Sequence, residues 1–142
     1  MPIVNYGQCR VSDERLREVL ERIADETGHV VRVTSGDRDF VPKGGSPKSL
    51  HLINEAVDFR VEGLSDEQAF TLIRMKRRKI FGDATGDAFR FQLLRHGAST
   101  ETQGAHLHLG YVPEGFRFSS RGFLVEGLTP LTKGQYMRVE DP

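Results

Sequence analysis

The chain has 142 residues, with twenty Lys and Arg against twenty Asp and Glu, so no net field draws it to nucleic acid or an anionic membrane. Its one cysteine, Cys9, cannot pair within the chain, which excludes a disulfide framework and a cysteine-based structural metal site. The length suits a single domain, 1–142, able to bury a core, and no segment reaches the apolar length of a membrane span.

Met1 to Tyr6 lacks a charged region followed by an apolar one, so the expectation is synthesis in the cytoplasm without a conventional signal peptide. Arg10 to Thr27 reads as an amphipathic helix. Leu16, Val19, Leu20, Ile23 and Ala24 recur at three- and four-residue spacing, Ser12 or Asp13 can cap the start, and Gly28 stops it. Val30 to Thr34 is a β-branched strand leading into Ser35-Gly36-Asp37-Arg38, and residues 41–48 form a loop punctuated by proline and glycine. Glu55 to Val61 alternates as a second strand. Ser65-Asp66-Glu67-Gln68 is a capping-box pattern that opens a second helix with Ala69, Phe70, Leu72 and Ile73 on or near its buried side.

That helix frays somewhere in the basic run Arg74-Met75-Lys76-Arg77-Arg78-Lys79. The run reads as a solvated helix end with cations near the negative pole of the dipole, or as a contact surface for a polyanion such as a cell-wall polymer. Phe89 to Leu93 alternates as a third strand, His96 to Gly104 is a polar loop, and Ala105 to Tyr111 is a fourth strand antiparallel to the third. The glycine-rich extension 113–142 carries weaker strand signals at Gly122–Val125 and Tyr136–Val139. The fold class expected is α+β, a small and mainly antiparallel sheet with helices packed on one side and a zinc site on the sheet.

The chemistry concentrates in Ser49-Leu50-His51-Leu52-Ile53-Asn54-Glu55-Ala56-Val57-Asp58 and in Ala105-His106-Leu107-His108-Leu109. Side chains alternate faces along a strand, so His106 and His108 point the same way. Asp58 shares a face with Ala56, and His51 lies in the turn before that strand. The seven-residue step from His51 to Asp58 lets the chain loop out and return both to one point. Two or three imidazoles with one carboxylate suit zinc with a coordination position left open, the catalytic arrangement. A carboxylate between Val57 and Phe59 needs a counter-charge, which a metal or an arginine can supply. His29 and His96 have no partnered pattern and read as ordinary hydrogen-bonded histidines.

Ser49-x-His51-x-x-Asn54-x-Ala56-x-Asp58 followed by His106-x-His108 resembles the zinc D-Ala-D-Ala carboxypeptidase and L-alanyl-D-glutamate endopeptidase family. That fold is shared with the hedgehog signalling domain and lysostaphin-related murein peptidases. The resemblance covers about residues 10–112, the motif-bearing core, and leaves 113–142 as an extension. It implies a zinc metallopeptidase that hydrolyses D-amino-acid-containing bonds of peptidoglycan stem peptides. It further implies His51, Asp58 and His108 as zinc ligands, Arg38 as the group that stabilises the oxyanion or holds substrate, and Ser49 as a support of the loop at the substrate site. His106 would be a neighbour of the ligands or a stabiliser of the tetrahedral intermediate.

Two positions depart from the pattern. Asn54 stands where many members have glycine, a conservative change for the backbone. Ala105 stands where many carboxypeptidase members place an acid three residues before the last zinc histidine, so the general base falls to Glu101, the nearest upstream carboxylate. The missing acid also leaves open an inactive zinc-bearing module that binds a protein or wall partner. A wall-cutting enzyme without a signal peptide needs another route out, which suggests an endolysin-like hydrolase of phage or prophage origin. Carboxypeptidase versus endopeptidase action, the native metal and the oligomeric state are not legible in the residues.

Overall fold

The computed structural model describes residues 3–37, 55–97, 105–113, 121–126 and 136–139. In chain order these form β1 (Val4–Asn5), α1 (Glu14–Thr27), β2 (Val31–Ser35), β3 (Ala56–Val61), α2 (Asp66–Met75), α3 (Arg77–Phe81), a 3-10 turn (Gly86–Ala88), β4 (Phe91–His96), β5 (His106–Tyr111), β6 (Gly122–Glu126) and β7 (Tyr136–Val139). The seven strands make one sheet in the order β1-β2-β3-β5-β4-β6-β7.

The α+β class expected from the sequence is present, but the sheet is mixed rather than mainly antiparallel. β1 runs parallel to β2 and β6 parallel to β4, and the other four pairings are antiparallel. The parallel insertion of β6 beside β4 is the consequential departure. A parallel pair requires a long connection rather than a tight hairpin, so local turn chemistry carries no sign of it. Both strands of the C-terminal extension therefore continue the sheet of the core.

Helix α1 begins where the Asp13 side chain accepts the backbone N–H groups of Arg15 and Leu16, and ends at Gly28 with φ 73°. The expected start at Arg10 is thus four residues early. The capping box of α2 forms in full: Ser65 Oγ accepts from Gln68 N–H, and the Gln68 side chain accepts from Ser65 N–H. The basic run does end α2, at Lys76, but the chain then turns once more as α3. Arg77 is not part of a solvated end. It is buried, donates to the Ala84 carbonyl at 3.1 Å, and lies 4.9 Å from the centre of the Phe89 ring.

One face of the sheet packs on the helices. Val31, Val33, Val57, Phe59, Val61, Leu93, Leu107, Leu109 and Phe123 join Leu16, Leu20, Ile23, Phe70, Ile73 and Ile80 in a single apolar cluster. Phe81, Phe89, Phe91 and Phe123 add edge and stacked ring contacts at one end of it. Because strand side chains alternate, the residues between these face away from the helices, and that opposite face carries Asp58, His106 and His108. Among the described residues no helix is long and apolar enough to cross a membrane.

Candidate functional site on the sheet face opposite the described helices

The register of the central strands sets the site. Asp58 on β3 is directly opposite His108 on β5, and His106 is opposite His96 on β4. The parallel register that pairs Arg95 with Val125 brings His96 beside Glu126 on β6, and Glu126 pairs in turn with Tyr136 on β7. Six chemistry-bearing side chains from five strands therefore occupy two adjacent levels of one face.

Asp58 is 1% exposed, and its Oδ1 lies 3.0 Å from His108 Nδ1, whose N–H donates to the carboxylate. Asp58 Oδ2 lies 3.6 Å from His106 Nε2. The His106 and His96 rings stack with centres 4.4 Å apart, and His108 meets His96 edge-on at 6.0 Å. Glu126, 2% exposed, accepts the Gly97 backbone N–H at 2.8 Å, and its Oε1 is 3.6 Å from His96 Nδ1. The Tyr136 hydroxyl is 3.0 Å from the same nitrogen.

Burial dominates the protonation of the outer pair. It lowers the His96 imidazole to about 4, with His108 and His106 adding to the effect and Asp58 and Glu126 opposing it. Burial also pushes the Tyr136 hydroxyl up to about 12, assisted by the charges of Glu126 and Asp58. At neutral pH a neutral imidazole thus meets a protonated phenol, one donating and the other accepting.

Of the residues expected at the site, the structure brings together Asp58, His106 and His108. His51, Arg38, Ser49 and Glu101 lie outside the described residues, as does Asn54. Among the described residues no group of three or more His, Cys, Asp or Glu side chains is arranged to hold a metal ion. Carboxylate and imidazole are donor types that zinc takes, and a metal held by Asp58 and His108 would have to replace the hydrogen bond that joins Oδ1 and Nδ1 at 3.0 Å. Ala105, where the family pattern would put an acid, presents its carbonyl to the Arg60 guanidinium at 2.6 Å, and Arg60 also pairs with Asp66 at 3.6 Å.

Three members were not foreseen. His96, read as the first residue of a polar loop, is the last residue of β4; Tyr136 opens a weak strand signal, and Glu126 lies one residue past the signal at Gly122–Val125. His96 had a usable signal, since Gln92, Leu94 and His96 continue the strand alternation, and the antiparallel register of β4 and β5 pairs His96 with His106. Glu126 had none, because the β4–β6 pairing is long-range and parallel. His29, by contrast, is the hydrogen-bonded histidine expected, its Nδ1 2.8 Å from the Glu62 carbonyl oxygen.

No protein-family model, no curated protein and no solved structure matches this chain.

Proposed function

We propose that the chain is a zinc-dependent peptidase that hydrolyses D-amino-acid-containing bonds of peptidoglycan stem peptides. The observation that carries the reading is the buried Asp58–His108 pair, set face to face by strand register with His106 alongside. A carboxylate 1% exposed and bordered by two imidazoles is costly as a plain polar core and sensible as half of a metal site. His51 would complete a His₂Asp set.

Zinc bound there supplies a Lewis acid that polarises the scissile carbonyl and makes water a nucleophile near neutral pH. The chain's own residues supply the rest. Asp58 brings the anionic donor, and Glu101 takes the proton of the attacking water and returns it to the leaving amine. Arg38 would set fixed positive charge beside the developing oxyanion or clamp a terminal carboxylate, with Ser49 in a supporting role at the substrate site.

Ala105 favours a second reading, a zinc-bearing module that binds a protein or wall polymer without cutting it. One experiment separates them: metal content and amine release from peptidoglycan, measured on wild type, Glu101→Gln and His108→Ala. The peptidase reading expects zinc in wild type and Glu101→Gln, hydrolysis in wild type alone, and neither in His108→Ala. Zinc without hydrolysis in wild type favours the binding module. A wild type that holds no zinc even when it is supplied defeats both.

A further inference from the structure

We propose that Glu126, on β6 of the C-terminal extension, is a positioning residue of this site, holding His96 and through it the imidazole of His106 beside Asp58. The inference rests on the peptidase reading for what His106 does, but the placement is separate from it.

Four observations carry the proposal. Glu126 is 2% exposed on the same face as Asp58, and a buried carboxylate is unfavourable unless its oxygens are engaged. Its Oε1 accepts the Gly97 N–H at 2.8 Å, which fixes the carboxylate against the end of β4, and the same oxygen faces His96 Nδ1 at 3.6 Å. The Tyr136 hydroxyl reaches that nitrogen from β7 at 3.0 Å, so the His96 ring is hydrogen-bonded from β7 while Glu126 anchors the adjoining backbone through Gly97. The opposite flank of the ring is spent on His106, stacked at 4.4 Å and 29°.

An imidazole has two side-chain torsions, and this arrangement fixes both through one nitrogen and one face. His106 thereby gains a flat wall on one side, with Asp58 Oδ2 3.6 Å from its Nε2. The carboxylate also satisfies the buried Gly97 N–H, a structural task, so the variant that tests positioning must keep that hydrogen bond. Partners that orient a metal-ligating histidine are worth about 10–100-fold in affinity or activity, and a partner one ring removed belongs at the low end of that range.

The test uses the full chain as wild type, Glu126→Gln and Tyr136→Phe, with zinc supplied. Glu126→Gln retains an oxygen for the Gly97 N–H and loses the charge facing His96. Imidazole nitrogen NMR shifts of His96 and His106 are read first, because they require no activity. The proposal expects both signals to move in Glu126→Gln, with unchanged zinc content and a kcat about tenfold lower on a D-Ala-terminated stem peptide at similar KM. Tyr136→Phe, at a half-exposed position, should move the His96 signal and shift His106 less. An unmoved His106 signal in Glu126→Gln overturns the proposal, as does a loss of kcat that follows loss of folded protein in proportion. A wild type that binds zinc but cuts nothing defeats the peptidase reading alone, and the NMR shifts still decide the placement.

Discussion

The two faces of the central strands are both buried around Asp58 and are chemically opposite. Along β3 the helix-covered residues Val57, Phe59 and Val61 are 0–2% exposed, and Asp58, between the first two, is 1% exposed. On β5, Leu107 and Leu109 alternate in the same way with His106 and His108. Apolar side chains on the first face are held by area and volume, a term without direction worth about 25 cal/mol per Å² removed from water. Polar side chains on the second are held by particular partners at particular distances, so a substitution there removes a specific interaction rather than an area. Burial alone therefore does not rank residues for function. What marks the site is burial of groups that solvent would otherwise keep.

Adjacent positions on one strand break this comparison most directly. Phe59→Ala removes a ring buried to 0% and should cost about 3–5 kcal/mol in urea unfolding while leaving the donor set of the other face chemically intact. Asp58→Asn keeps the volume and should abolish zinc retention, measured by metal analysis, with much less effect on the stability of chelator-treated protein. If the asparagine variant unfolds as readily as the alanine one, the carboxylate is a structural element and the contrast fails.

The helix-covered face was largely legible in the residues, and the site only by half. Periods of 3.6 and 2 mark α1, α2 and β3 because each buries one stripe against a partner. The Asp13 cap and the Ser65–Gln68 box are visible because a helix start is a local hydrogen-bonding problem. Alternation also predicts that His106 and His108 share a face, as they do. It does not say which strands become neighbours. Glu126 and Tyr136 reach His96 only because β6 pairs in parallel with β4, a choice made by packing across the whole sheet. Charge misled in two places. His96 resembles the start of a polar loop, and Arg77 sits in a basic run yet turns inward over Phe89.

A smaller effect is expected where the chain leaves β2. Gly36 lies so close to Arg10 that an added Cβ would stand 2.1 Å from its carbonyl oxygen, with rigid backbone on both sides. The Asp37 N–H donates to the same carbonyl at 2.8 Å, so the strand end is stitched to the segment before α1. Gly36→Ala should cost about 1–3 kcal/mol by overpacking, read from the denaturation midpoint. Because Ser35 pairs with Asp58, the variant also tests how far a backbone shift propagates to the face that carries Asp58. Retained zinc affinity would show that the site is insulated from β2.

The smallest effect distinguishes stability from site chemistry through pH. Just before β3, Glu55 shares the Arg15 guanidinium with Asp13, at 3.0 and 2.7 Å, and Arg15 also lies 3.7 Å above the Tyr111 ring. Burial, then the neighbouring Asp13 carboxylate, push Glu55 up to about 7, against the pull of Arg15. Burial would raise Asp13 as well, but its hydrogen bonds, led by Arg15, overrule that and hold it at about 2. A carboxyl with a raised folded pKa binds more protons folded than unfolded across the interval between 4.5 and about 7. Its contribution is therefore full below 4.5 and lost as pH rises through about 7. Asp13 has the opposite sign, contributing above 3.8 and losing that contribution as pH falls toward 2. The two windows do not overlap, but His96 titrates in the Glu55 interval with the opposite sign: its imidazole, lowered from 6.5 to about 4, binds fewer protons folded than unfolded, so its contribution grows as pH rises through 6.5. Glu55 is therefore isolated by the difference between wild type and Glu55→Gln, with unfolding midpoints compared at pH 5 and pH 8. The variant, a neutral mimic of the protonated acid, should gain stability relative to wild type between those values without altering zinc content. An identical pH dependence in the two proteins would place its origin elsewhere in the molecule.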